Sequence, residues 1–220
     1  MNPIDPNSLL SLRLDRLQEC IGEFEARMLK AEEDPSRCVS RVKKCLKEFK
    51  VYTASFQTVV SDYYDRSLIQ RADILRCDVN QLCKTIIFQN TLCEHNICSD
   101  ITDSKYYCVI VQYCERVNAE KLRDFIHKLS PIEKRMPKNK LHFRLAEESC
   151  SRQLSGFVHN AVSPIGMTTP IPTIICKSCA NVTPSFIWLG GGAVDVKLCI
   201  SLSDLIYVTS AIIADISEPR

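Results

Sequence analysis

The residue types that could do chemistry fall in three stretches. Lys84 lies between Leu82-Cys83 and the apolar run Thr85-Ile86-Ile87-Phe88, at a helix-to-strand junction. A lysine there is either an edge charge or an ammonium aimed into a cleft. The second stretch, residues 156–167 (GFVHNAVSPIGM), carries Gly156, His159, Asn160, Ser163, Pro164 and Gly166. Pro164 fixes its φ and lacks an N–H, and Gly166 permits positive φ, so a rigid turn follows an expected short strand at 157–158. Its spare backbone groups could hold a small polar ligand or a water, or the segment is simply a Ser-Pro turn. In the third, Gly190, Gly191 and Gly192 make up half of the chain's six glycines and precede Asp195. That cluster is either a flexible hairpin turn or a close backbone approach to a ligand; with no Lys-Ser/Thr after it, it is not a P-loop.

Several chemistries are disfavoured. Ser163 has no G-x-S-x-G elbow around it, and His95, His127, His142 and His159 show no spacing that suggests a triad. His159 reads as structural or solvent-facing more readily than catalytic. The thirteen cysteines are odd in number and irregularly spaced, unlike a secreted disulfide framework. Cys176 and Cys179 form a single CxxC. The segment 93–98 (CEHNIC) could supply three metal ligands, but at loose spacing. The cysteines therefore read as reduced structural thiols, with neither metal nor cofactor expected and no activating environment for redox work.

The elements that must position these residues divide the chain at about residue 50. In residues 1–50, Leu10, Leu14, Leu17, Ile21, Phe24 and Met28 recur at alternating spacings of four and three, the pattern of a coiled-coil seam. Asp34-Pro35 breaks that helix, and a basic amphipathic one is expected over 38–49. The arm either folds back on its own domain or docks on a partner or a second copy. From 51 to 220 the pattern is mixed: a strand over 52–60, helices over 68–75, 118–129 and 146–154, and strands beginning at 85 and over 106–113, 171–176, 186–189 and 194–200. A final helix starts at 203. Without βαβ regularity this argues for an α+β fold with a mixed, curled sheet flanked by helices. Lys134, Arg135, Lys138 and Lys140 form a dense basic loop, either merely solvated or a contact for a nucleic-acid backbone. Net charge is only +2, so a nucleic-acid contact would have to be local. No apolar run is long enough to span a membrane, and no targeting pattern opens the chain, so a cytoplasmic protein is expected.

Residues 156–167 resemble the G-x-x-x-x-x-SPxGM loop of the YbaK family, which also supplies the editing domain inserted in, or associated with, prolyl-tRNA synthetases. Residues 78–88 (DVNQLCKTIIF) and 186–198 (FIWLGGGAVDVKL) agree with it in order and spacing. The resemblance covers roughly 52–215 and is nearest to eukaryotic stand-alone members. It implies a barrel-like mixed sheet, and it matches Lys84 to the lysine of an L-x-K-T/S motif needed for deacylation. Asn160, Ser163, Pro164 and Gly166 match the loop around the scissile ester, and Asp195 the acidic residue of the pocket. Gly156, His159, Gly190 and Gly191, with Tyr63 of a Tyr63-Tyr64 pair, would border the substrate. Trp188, which stands where the bacterial pattern has serine, would also border the substrate, narrowing the amino-acid site or stacking on a base. The implied function is a trans-editing deacylase that clears a small amino acid such as Cys or Ala from a mischarged tRNA, most often tRNA-Pro. A positioned water or a substrate group would attack the ester. The implied partner is aminoacylated tRNA. The alternative is a non-catalytic subunit of a multi-synthetase complex, docked on a synthetase through residues 1–50, or a homodimer.

Overall fold

The structure, a computed structural model, describes residues 34–96 and 100–220, together with residues 14, 16–19, 21 and 22. Helix α1 (Pro35–Glu48) begins where Asp34 accepts a hydrogen bond from the Ser36 N–H at 2.9 Å, with proline in the first turn where a missing N–H costs nothing. Cys38, Val42 and Leu46 recur every fourth residue on its buried stripe. They join the main hydrophobic core together with Tyr107, Phe157, Ile165 and Leu189. The second helix of the expected arm is thus packed into the same core as the sheet. Leu14, Leu17 and Ile21 are helical and 57%, 59% and 55% exposed, whereas Leu10, Phe24 and Met28 of the expected seam lie outside the described residues.

After α1 come β1 (Ser55–Thr58), a 3-10 turn (Tyr63–Asp65), α2 (Leu68–Leu75), a second 3-10 turn (Val79–Gln81), β2 (Cys83–Asn90), β3 (Tyr106–Gln112) and β4 (Glu115–Val117). Next are α3 (Ala119–Leu129), capped by Asn118, then β5 (Phe143–Leu145), α4 (Glu148–Ser155), β6 (Thr173–Cys176) and α5 (Lys177–Ala180). The chain closes with β7 (Phe186–Gly190), β8 (Val196–Ser201), α6 (Leu202–Thr209), β9 (Ile212–Ala214) and β10 (Ser217–Pro219).

The fold is α+β. Its larger sheet has the order β5-β2-β3-β6-β9, with β3-β6 and β6-β9 parallel and the other pairs antiparallel. Strand β3 is buried along nearly its whole length, as its unbroken apolar sequence requires of a strand covered on both faces. A second sheet, β1-β8-β7, is joined to the first by an isolated bridge between Leu82 and Trp188. Strands β10 and β4 form a third. The strands therefore curl through separate sheets and do not close into a barrel. Residues 157–158, expected as a strand, belong to none: Phe157 is buried beneath the Arg41 guanidinium, 4.5 Å from its ring centroid. Elements of three or four residues such as β4, β5, β10 and α5 are too short to carry a period.

Candidate active site

A cavity of about 360 Å³ opens along one edge of β2. That strand is paired with β3 throughout residues 83–89, but β5 covers its other edge only at 88–90 and the bridge to Trp188 touches it only at Leu82. Between them no strand among the described residues pairs with β2. The Ala146 N–H donates to the Ile87 carbonyl at 2.8 Å. Because N–H and C=O directions alternate along an antiparallel strand, the backbone groups of Thr85 point the same way, into the gap. The Thr85 hydroxyl is buried and has no hydrogen-bond partner. The cavity is thus bordered by polar groups that no strand takes up.

Lys84 lines this cavity. Its ammonium stands 5.7 Å from the Tyr113 ring centroid, and neither a hydrogen bond nor an ion pair holds it among the described residues. Burial, reinforced by the positive charge of Arg220, lowers its pKa from the ordinary lysine value. Facing it are Tyr64, His159 and Asn160. The Tyr64 hydroxyl donates to the Asn160 carbonyl at 2.6 Å, and Asn160 adopts a left-handed φ of 64°, which asparagine tolerates better than most residues. His159 and Asn160 are exposed at the rim.

Tyr64 is held from behind by residues that the sequence did not single out. Lys197 is only 4% exposed; its Nζ donates to the Tyr64 hydroxyl and to the Val194 carbonyl, both at 2.7 Å. It sits 4.3 Å from the Tyr64 ring centroid and 5.0 Å from that of Tyr63. Burial pulls its pKa down to about 8, against the opposing charge of nearby Asp195. In the strand register Lys197 is paired with Gly190. Arg71 completes the box: its guanidinium lies within 5.6 Å of the ring centroids of Tyr63, Tyr64 and Tyr113, and donates to the Arg66 and Tyr64 carbonyls. The only sequence signal for Lys197 was a lysine inside an apolar strand.

The remaining residues of interest divide between packing and surface. Ser163 is 0% exposed and its Oγ accepts the Ile165 N–H at 3.2 Å, so it stabilises its own turn and does not line the cavity. Pro164 is buried, and Gly166 lies against the backbone of Arg41 and Val42. Gly156 ends α4, and its carbonyl is gripped by Arg41 Nη2 at 2.8 Å. Gly190 borders the cavity and approaches so near to the Val162 carbonyl that a Cβ would overlap it. Gly192 has φ +99°, and a Cβ there would stand 2.9 Å from the Cys38 backbone. The triple glycine thus serves close approach to α1 and the 161–162 loop. Gly191 is buried and donates its N–H to Val196 at 2.9 Å.

Asp195 is exposed and outside the cavity lining. Tyr63 is buried behind Tyr64. Trp188 borders a separate shallow groove with Ala72, Phe186 and Cys199. In the basic loop, Lys134 and Lys140 are exposed, Arg135 donates to the Ser130 carbonyl at 3.0 Å, and Lys138 pairs with Asp124 at 2.7 Å. None of the four borders the cavity. Among the described residues, no helix is long and apolar enough to cross a membrane.

No family model and no curated protein matches the sequence. Solved structures do match its shape. A candidate trans-editing enzyme for prolyl tRNA synthetase superposes with a TM-score of 0.64 at 19% identity, over 82% of this chain and 97% of that one. A scaffold protein used for computational grafting of linear epitopes gives 0.64 at 16% identity, over 83% and 98%. The hypothetical protein APE2540 gives 0.61 at 17%, over 81% and 99%. At such identities the likeness shows a common fold.

Proposed function

We propose that this chain is a trans-editing deacylase of the YbaK type, which hydrolyses the ester linking a small amino acid to a mischarged tRNA. The observation that carries the reading is the half-buried Lys84 ammonium in the cavity, without an ion-pair partner among the described residues, at the edge of β2 that no strand covers. A cation in a water-poor cleft stabilises the oxyanion that forms as an ester is attacked, and its interaction strengthens as charge develops. Among the described residues no Ser–His pair stands at hydrogen-bond distance in the cavity. A positioned water, or a hydroxyl of the tRNA's own ribose, is therefore the attacking group. The Thr85 N–H and the Asn160 rim would orient the ester. Small amino acids fit the need for such an enzyme, because a missing methylene gives a synthetase only about 10–200-fold discrimination. The shape shared with a candidate trans-editing enzyme adds support. Lys134 and Lys140, exposed on the basic loop, are proposed to meet tRNA phosphates.

The test is release of amino acid from tRNAs charged with Cys, Ala, Ser or Pro, with Lys84→Ala alongside. Lysine-dependent release from one pairing is expected; release from none, or equal release by the variant, overturns the proposal.

One observation favours a second role that is compatible with the first. Leu14, Leu17 and Ile21 present an exposed apolar stripe on a helix ahead of α1. We propose that this stripe docks on a synthetase or on a second copy, which would raise the local concentration of charged tRNA. The deletion that tests it is residues 1–33, which spares α1 and the core. An unchanged complex size in gel filtration with and without that segment counts against docking.

A further inference from the structure

The connection between β2 and β3 runs over residues 91–105, and connections longer than roughly 12–15 residues are uncommon in compact domains. Both of its limbs are anchored. On the first, the Thr91 N–H donates to the His142 carbonyl at 2.9 Å, and Leu92 and Cys93 turn back onto Asn90. On the second, the Ser104 N–H donates to the Tyr107 hydroxyl at 3.0 Å, and that hydroxyl donates to the Ile101 carbonyl at 3.0 Å. Three potential ligands face one another across the anchored limbs. Cys93 Sγ lies 3.6 Å from each ring nitrogen of His95, and His95 Nε2 lies 3.0 Å from Asp103 Oδ1. All three ligand atoms fall within 4.8 Å of one another, and each residue is half-buried.

We propose that Cys93, His95 and Asp103 bind a zinc ion that staples this loop. With Zn–S near 2.3 Å and Zn–N or Zn–O near 2.0–2.2 Å, tetrahedral geometry puts sulfur and nitrogen about 3.6 Å apart, and nitrogen and oxygen about 3.3 Å apart. The observed separations of 3.6 and 3.0 Å match within a few tenths of an ångström. The sulfur is equidistant from both nitrogens and so faces the ring. The imidazole must turn about its Cβ–Cγ bond to bring a lone pair to the metal, which shifts both separations, so the agreement is one of reach: all three ligand atoms can meet one ion. Thiolate, imidazole and carboxylate together suit zinc better than magnesium or calcium, which favour oxygen ligands. On binding, the Cys93 thiol releases its proton to solvent and a water fills the fourth position. None of the three ligands lines the cavity at Lys84. Cys98, which follows in the sequence, lies outside the described residues and is not counted as a ligand.

The test is titration of the full chain with Co²⁺, followed by competition with Zn²⁺, under reducing conditions. One equivalent with thiolate-to-cobalt charge-transfer absorption and intense d–d bands of tetrahedral cobalt is expected, displaced by zinc. Cys93→Ser should remove the charge-transfer band. Cys93→Ser and His95→Ala should each weaken binding by at least the roughly 10–100-fold that loss of a supporting partner costs at metal sites. Asp103→Asn should retain the band with weaker binding. Far-UV circular dichroism checks that the variants fold, and a chelator should lower the melting temperature of the wild type but not of Cys93→Ser. Metal content and spectra unchanged in Cys93→Ser and His95→Ala would place any bound metal elsewhere and overturn the site.

Discussion

The open side of the candidate site and its packed rear each contain a lysine drawn partly out of water beside tyrosine rings. At the front, Lys84 borders the cavity with no hydrogen-bond or ion-pair partner among the described residues. At the rear, Lys197 is more deeply buried, but it is satisfied by Tyr64 and Val194 and stacked on two rings. The rear also contains Ser163 and Gly192, both turned toward protein. A buried polar group whose bonds are complete fixes its neighbours, whereas one left incomplete at a cavity is available to a ligand. Lys84 is thus left open to a ligand, as the proposed deacylase requires, while Lys197 holds Tyr64, whose hydroxyl donates to the Asn160 carbonyl.

If that division holds, front and rear substitutions separate activity from stability. Lys84→Ala should cost the most, about 10²–10³-fold in deacylation, the scale of losing one oxyanion-stabilising group. Its denaturation midpoint should stay near wild type; a large fall would move Lys84 into the structural class. At the rear, Lys197 produces a pH effect of defined sign. In the unfolded chain it keeps its proton up to an ordinary lysine pKa of 10.5, whereas the folded protein releases it near 8. Between those values the unfolded state binds more protons, so stability rises with pH, by at most about 3 kcal/mol. Urea denaturation from pH 7.5 to 10.5 should show that rise in the wild type and lose it in Lys197→Met. Identical pH slopes would mean that the ammonium is not desolvated.

Gly192→Ala tests the packing of the rear loop on α1. The positive φ alone costs about 1–3 kcal/mol, and the contact with the Cys38 backbone adds to it. Gly22→Ala is the control, since nothing lies within 4 Å of a Cβ there and a helical alanine gains up to about 1 kcal/mol. Equal effects at the two positions would erase the distinction. The smallest change is expected from Ser163→Ala, which leaves the buried Ile165 N–H without its acceptor at a cost of about 1 kcal/mol. Its turnover per folded molecule should equal wild type. A loss on the scale of Lys84→Ala would restore Ser163 to the front.

Much of the fold was legible in the sequence because period and capping act locally. The helix expected over 118–129 is α3, with Asn118 accepting from the Glu120 and Lys121 N–H groups, and the one over 68–75 is α2 with its Ser67–Gln70 capping box. Strand β3 could be read from its uninterrupted apolar run. Lys84 and Asn160, which the family resemblance singled out, and His159, which read more readily as solvent-facing, all line one cavity. Tyr64, and not Tyr63, takes the place at its wall.

Other assignments depended on contacts far apart in the chain. The arm's second helix reads as amphipathic whether it docks on a partner or on its own core; only the placement of Cys38, Val42 and Leu46 decided that it folds home. The glycines of 190–192 announce close approach but not to what, and the answer, the backbone of α1 and the 161–162 loop, lies distant in sequence. Asp195 and Lys197 are two positions apart, so alternation along an extended chain assigns both to one face. The chain is not extended through that turn, and it leaves the aspartate in water and buries the lysine. The sequence by itself determined the local elements and the α+β class, because propensity, capping and periodicity are properties of neighbouring residues; Lys84 was singled out only through the resemblance of residues 78–88 to a family motif. Which polar groups end up satisfied was decided by the tertiary structure alone, because a hydrogen-bond partner such as Tyr64 for Lys197 comes from more than a hundred residues away.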